Sequence, residues 1–193
     1  MLADWQVWAR DDQLPPAVST SGEDWRVWLI LGGRGAGKTR TGAEWVKAKA
    51  LGVAPIARQP ARRIALVGET YADVRRVMIE GESGLLAIHS DAERPRFEVS
   101  KGTLVWPNGV VAQVFSAESP DALRGPQFEV AWCDELCKWR NAEAAWDMLQ
   151  FALRLGEVPQ VAVTTTPKPL ALLKAMIADP LTVLDAWDAR LGW

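Results

Sequence analysis

A chain of 193 residues, 49% hydrophobic and 24% charged, can bury one compact α/β core and is short for two. Its 22 Lys and Arg against 24 Asp and Glu leave a formal charge of -2, so charge alone gives no argument for a nucleic-acid partner. Two cysteines and one histidine cannot assemble a structural zinc site without carboxylates, and they exclude a disulfide framework. No apolar run reaches about 18 residues, so no membrane span is expected. The start, MLADWQVWARDDQLPP, lacks a charged region followed by an apolar stretch and does not read as a signal peptide, which makes the cytoplasm the expected location.

Residues 1–24 are polar, contain Pro15 and Pro16, and form a leading segment; residues 25–193 form the domain proper. The run WRVWLILGG reads as a buried parallel strand stopped by glycines. Lys38 to Ala50 follows as a helix, closed by Leu51-Gly52. Ile64 to Val67 is a second short strand, and Tyr71 to Glu80 is a helix. Phe97 to Ser100, Thr103 to Trp106 and Val110 to Phe115 are short β runs separated by Lys101-Gly102 and Pro107-Asn108-Gly109. These turns predict an antiparallel meander at a sheet edge. Phe128 to Cys133 is the next buried strand, Ala142 to Leu155 a helix closed by Gly156, and Gln160 to Val163 a strand. Pro169 to Asp179 is helical, and Leu181 to Leu184 is a last strand. The alternation predicts a mostly parallel sheet flanked by helices, with a β-hairpin insert.

The 11 tryptophans are read mainly as core residues, with Trp139 and Trp146 spaced to share one helix face. Cys133 sits in an apolar run as a small buried hydrophobe. His89 has no ligand or nucleophile signature beside it and is read as a surface or helix-end residue.

Chemistry concentrates in three places. Gly32-Gly33-Arg34-Gly35-Ala36-Gly37-Lys38-Thr39 fits the phosphate-binding loop G-x-x-x-x-G-K-[ST], between a strand and a helix as the motif requires. Glycines let backbone N–H groups form an anion nest, and the following helix aims its positive end at it. Lys38 reaches the β- and γ-phosphates of ATP, and the Thr39 hydroxyl is a Mg²⁺ ligand. Arg34 inside the loop can stabilise charge on a transferring phosphoryl group, or be a solvated loop arginine. Val130 to Glu135 is an apolar strand ending in two acids. Asp134 there would hold Mg²⁺ through water, and Glu135 would polarise the attacking water as a general base. Val161 to Pro167 is a strand ending in Thr164, Thr165 and Thr166, placed to sense a γ-phosphate or simply to end a strand. Together these define a P-loop NTPase of the additional-strand, catalytic-glutamate type.

The blocks WLILGGRGAGKTRTGAEWV, ALVGETYADVRRVMIEGESGLL, WPNGVVAQVFSAESPDALRGPQFEVAWCDEL, AAWDMLQFALRLG and TTTPKP resemble, in order, those of large terminase ATPase domains of tailed phages, prophages and gene-transfer agents. The resemblance runs from about Gln13 to about Leu173. It implies an ATP-hydrolysing motor that drives viral DNA into a capsid. It makes Arg34 a cis-acting finger and Arg124 a finger for a neighbouring subunit's ATP. It makes Thr164 to Thr166 a coupling block, with Thr165 as the nucleotide contact, and Gln13 a reader of adenine. It implies double-stranded DNA, a portal protein and a small terminase subunit as partners, in the cytoplasm of a bacterial host. The chain would be a monomer alone and a homo-oligomeric ring when assembled. Family members continue into a nuclease domain that LDAWDARLGW does not resemble, so no DNA cleavage is expected of these residues. The alternative is a truncated or frameshifted prophage remnant that binds nucleotide without turnover. A two-domain helicase would need a second motor domain. A P-loop kinase would need an acceptor site and a lid, and Asp134-Glu135 speaks against it.

Overall fold

A computed structural model describes residues 5–187. In chain order the elements are α1 (Trp5–Trp8), β1 (Val27–Gly32), α2 (Lys38–Leu51), β2 (Arg63–Gly68), α3 (Tyr71–Asp73), α4 (Leu85–Ile88), β3 (Arg96–Glu98), β4 (Thr103–Val105), β5 (Val111–Ser116), β6 (Val130–Asp134), α5 (Ala142–Ala152), β7 (Gln160–Thr165), α6 (Ala171–Ala178) and β8 (Thr182–Trp187). They build one sheet in the order β3-β4-β5-β2-β6-β7-β1-β8. From β5 to β8 every neighbouring pair is parallel, whereas β3-β4 and β4-β5 are antiparallel. The predicted meander is therefore the sheet edge, and its last strand joins the parallel body beside β2. β7 lies between β1 and β6, which is the inserted strand that the additional-strand type requires.

Strand alternation fills both faces. Trp28 and Ile30 of β1, Ile64 and Leu66 of β2 and Trp132 of β6 face the layer that contains α2. Leu29, Leu31, Ala65, Val67, Ala131 and Cys133 face the layer of α5 and α6. Trp25, Trp28 and Trp45 pack with ring centroids 6.3 to 6.5 Å apart, as core tryptophans. Gly42, inside α2, is where this helix meets the sheet. A Cβ there would collide with the Trp132 indole ring, so glycine is what lets α2 lie directly on β6.

Four local readings need correction. The predicted helix Tyr71 to Glu80 is one α-turn, capped by Thr70 Oγ1 accepting from Asp73 N at 3.0 Å, followed by a π-helix over Val74–Ile79. The i→i+5 pattern brings residues four and five apart onto one face, so Val74, Met78 and Ile79 are all buried. The helix expected to run to Leu155 ends at Ala152, because Leu153 pairs with Phe128 and Leu155 N donates to Phe128 O at 3.1 Å. Trp139 and Trp146 do not share a helix. Trp139 precedes α5 in the turn after a 3-10 helix over Leu136–Lys138, although both indoles are buried. His89 ends α4, but it is buried rather than on the surface.

Among the described residues no helix is long and apolar enough to cross a membrane.

Candidate functional site

The carboxyl ends of β1, β7 and β6 lie side by side, so their terminal residues meet. Leu31 pairs with Thr165, and Thr164 pairs with Asp134. From Gly32 the chain turns into α2 through Gly35 and Gly37, at φ +80° and +85°. That left-handed region is open to glycine without steric cost. The Lys38 side chain folds back over the loop. Its Nζ donates to Gly32 O at 2.9 Å, to Gly33 O at 2.9 Å and to Thr166 Oγ1 at 3.2 Å, and lies 3.5 Å from Glu135 Oε1. Thr39 follows as the second residue of α2 and is partly exposed at the same edge.

Asp134 is buried at the end of β6 and accepts from Thr164 Oγ1 at 2.7 Å. The same hydroxyl accepts from Trp132 Nε1 at 2.9 Å, so the indole under α2 fixes the threonine that fixes the carboxylate. Burial pushes the Asp134 carboxyl up to about 6, against the Thr164 hydrogen bond; Glu135 raises it further, while Lys38 and Lys138 oppose. Glu135 has φ 53° and ψ 42° and, among the described residues, is the one non-glycine at positive φ. Such a conformation costs on the order of 1–3 kcal/mol and clusters at functional sites. It is held by Glu135 N donating to Thr164 O at 2.6 Å. Burial alone would raise the Glu135 carboxyl. Lys38, Lys138 and the Thr166 N–H outweigh it and hold the group below the ordinary glutamate range.

The structure brings most of the sequence-selected residues together and separates some. Thr165, selected as the nucleotide contact, is turned inward. Its Oγ1 accepts from Cys137 N at 2.9 Å, and the residue is fully buried. The member of the threonine block that touches the loop lysine is Thr166, whose Oγ1 also lies 3.4 Å from Glu135 Oε1. Strand alternation explains this: adjacent residues at a strand end point to opposite sides. Gln13 lies against the loop, but its amide is engaged on both sides. Nε2 donates to Thr41 Oγ1 at 3.0 Å, and Oε1 accepts from Arg10 N at 3.2 Å. Arg34 is exposed at the loop tip beside Gly35. Arg124 follows a 3-10 helix over Pro120–Leu123, is 74% exposed in its side chain, and pairs with Asp121 at 3.3 Å. It follows β5, which β2 separates from β6.

Two contacts carried no sequence signal that we used. Arg10 donates to Ala36 O at 3.0 Å, tying the leading segment to the phosphate loop. Lys138 Nζ lies 3.4 Å from Glu135 Oε2, a spacing of three residues that could have flagged it.

No group of three or more His, Cys, Asp or Glu residues suited to a metal occurs among the described residues. A donor set of one carboxylate and one hydroxyl, Asp134 and Thr39, instead suits Mg²⁺, which completes its shell with water and substrate phosphate.

A parallel sheet with a glycine loop after β1, a lysine folded over it and paired acids two strands away defines a P-loop NTPase fold. The chain belongs to the family of terminase large subunits, T4-like-virus type, N-terminal part, whose family model matches residues 29–189. No curated protein matches the sequence. Among solved structures, the large terminase ATPase domain of Thermus phage P74-26 is similar at a TM-score of 0.55 and 16% identity, covering 78% of this chain and 63% of that one. The large terminase of a thermophilic bacteriophage, solved in complex with ADP, is similar at 0.61 and 14%, covering 88% and 42%. The large terminase of bacteriophage HK97 is similar at 0.59 and 19%, covering 88% and 36%. At these identities the likeness establishes the fold. The chain spans less than two thirds of the length of each of these three relatives.

Proposed function

We propose that this domain binds ATP with Mg²⁺ and hydrolyses it as the motor of viral DNA packaging. The observation that carries the reading is the meeting of Lys38, Glu135 and Thr166 at one sheet edge, with Lys38 Nζ 3.5 Å from Glu135 Oε1. Backbone N–H groups of residues 32–37 and the start of α2 offer an anion seat, and Lys38 binds the terminal phosphates there. Asp134 and Thr39 would hold Mg²⁺, which neutralises phosphate charge when bound. Glu135, kept ionised by its cationic neighbours, accepts a proton from the attacking water. Thr166, joined to both Lys38 and Glu135, reports the state of the phosphate to the rest of the domain.

Gln13 supports the adenine side through its place against α2. Its Thr41 bond must open if the amide is to reach the base. Arg34 acts on its own subunit's nucleotide and Arg124 on a neighbour's, in a ring that engages double-stranded DNA, a portal protein and a small terminase subunit in the host cytoplasm. The exposure of Arg124 on an outer loop favours the assignment in trans.

The decisive experiment measures Mg²⁺-dependent phosphate release by the purified protein and by Lys38→Ala. Release and ATP binding should both vanish in the variant. Equal release from the two proteins would remove the support for this reading. For assembled rings, Arg124→Ala and Lys38→Ala subunits mixed together should exceed either alone, and no rescue in demonstrated mixed rings would confine Arg124 to its own subunit.

A further inference from the structure

The α5 side of the domain carries a groove of about 260 Å³, between the loop after the 3-10 helix Pro120–Leu123 and the end of α5. Leu123, Pro126, Met148 and Phe151 supply its apolar walls, and Arg124 and Arg154 flank them. No carboxylate lines it; Asp121 and Asp147 lie outside. Phe151 follows Met148 by three residues, on the same side of α5, yet is 72% exposed. Arg154 Nε and Nη2 donate to the Gln127 amide oxygen at 3.2 and 3.0 Å, a neutral partner. Arg124 meets Asp121 only in an exposed ion pair, which contributes little. The lining therefore selects an apolar side chain accompanied by a carboxylate.

A segment of that chemistry stands elsewhere on the same chain. Val7 and Trp8 of the leading segment are 69% and 70% exposed, and the exposed Asp11 follows Trp8 by three positions. The segment is fastened on the α2 side. Trp5 lies 5.4 Å from the Arg40 guanidinium, Gln6 Nε2 donates to Ala54 O at 2.7 Å, and Arg10 donates to Ala36 O in the phosphate loop. Because α2 and α5 cover opposite faces of the sheet, a segment so held cannot fill the groove of its own chain. A contact between the two is heterologous, the kind that closes rings.

We propose that the groove seats the leading segment of a second copy of this chain, with Trp8 against Phe151 and Met148 and Asp11 against Arg154. This docking rests on the reading of Arg124 as a finger for a neighbour's ATP. Arg124 borders the groove, and the leading segment is tied to the phosphate loop, so a finger that reaches that loop brings the groove to the segment. Tryptophan anchors and arginines are the residues that carry most of the energy of an interface.

The test mixes intact Trp8→Cys protein with intact Phe151→Cys protein at high concentration and traps encounters with a short bismaleimide. Both positions are exposed, and the native Cys133 and Cys137 are buried and do not compete. The control partner is Val99→Cys, exposed on the meander. Heterodimer between positions 8 and 151 should exceed that between positions 99 and 151 by about tenfold or more. Adding Arg154→Glu to the Phe151→Cys protein should lower the yield at least about threefold, and Asp11→Arg in the Trp8→Cys protein should restore it. A yield no higher than the control, or one indifferent to both charge reversals, would overturn the docking. Rescue in the mixture of Arg124→Ala and Lys38→Ala subunits is measured separately. Rescue without a selective cross-link overturns the docking and keeps the finger; a selective cross-link without rescue keeps the docking and removes the finger.

Discussion

Lys38 Nζ lies 3.5 Å from Glu135 Oε1, and Thr166 Oγ1 lies within hydrogen-bonding range of both. The lysine of the phosphate loop is thereby tied to the acid that follows β6 and to the residue that ends β7. On the proposed function, a nucleotide phosphate reaching Lys38 would compete with these contacts and so couple binding to the release of Glu135. Glu135→Gln keeps the size and hydrogen-bonding capacity of the side chain and cannot serve as a base. We expect ATP binding to survive and turnover to fall by about 10²-fold or more. Equilibrium binding and single-turnover phosphate release measure the two separately, and parental turnover in the variant would refute the assignment of Glu135.

The threonine block divides by contact: Thr165 Oγ1 is buried against Cys137 N, whereas Thr166 Oγ1 meets Lys38 Nζ, so their substitutions should behave differently. Thr165→Val strips the buried Cys137 N–H of its acceptor and should destabilise the fold by about 1–3 kcal/mol. Thr166→Val leaves the partly exposed edge intact and should cost under about 1 kcal/mol, while lowering turnover several-fold. Urea unfolding together with phosphate release distinguishes them. The reverse pattern would return the coupling role to Thr165.

Much of the site was legible in the sequence because it depends on short-range chemistry. The glycine spacing of residues 32–37 permits the positive φ values found at Gly35 and Gly37, and an apolar run ending in Asp134-Glu135 becomes a strand whose acids emerge at its carboxyl edge. The choice between Thr165 and Thr166 was not legible. It depends on the side of the strand end each residue takes, and hence on where Cys137 and Lys38 fall in space. The π-helix escaped for a similar reason. Val74, Met78 and Ile79 form an apolar set that suits an α-helix less well than a wider turn, but the core that rewards the wider turn is assembled from distant strands. The burial of His89 likewise comes from Trp106, which arrives with the meander.

Gly42 illustrates a residue whose helical cost is offset by packing. In an exposed helix, Gly→Ala would stabilise by about 1 kcal/mol. Here the added methyl would meet the Trp132 ring, whose Nε1 donates to Thr164 Oγ1 at 2.9 Å and so reaches Asp134. Overpacking costs about 1–3 kcal/mol, so Gly42→Ala should be net destabilising and should weaken Mg²⁺-dependent turnover through the displaced threonine. Thermal unfolding with a Mg²⁺ titration checks both effects. A more stable variant with unchanged metal dependence would show that α2 can shift without moving the indole.

His89 should make stability depend on pH. Trp106 Nε1 can only donate, and it does so to His89 Nε2 at 3.0 Å. Nε2 must therefore be the unprotonated nitrogen, and Nδ1 carries the proton, donated to Leu85 O at 2.6 Å. Adding a second proton would set N–H against N–H in a buried site. Burial accordingly lowers His89 from 6.5 to about 4; the Leu85 bond and Glu93 work against the shift, and Lys47 and Arg94 add to it. Because the folded value lies below the unfolded one, the unfolded chain binds more protons between the two, and stability rises with pH across that window. The contribution is complete above about pH 6.5, is lost progressively as pH falls towards about 4, and amounts to about 3 kcal/mol at most. His89→Gln keeps a neutral donor and acceptor and does not titrate. Urea unfolding at pH 7.5, 6, 5 and 4 should show the parent losing stability faster than the variant, with the gap closing between the upper and lower values. Parallel curves for the two proteins would mean that the imidazole is protonated in the folded state, or that water reaches it.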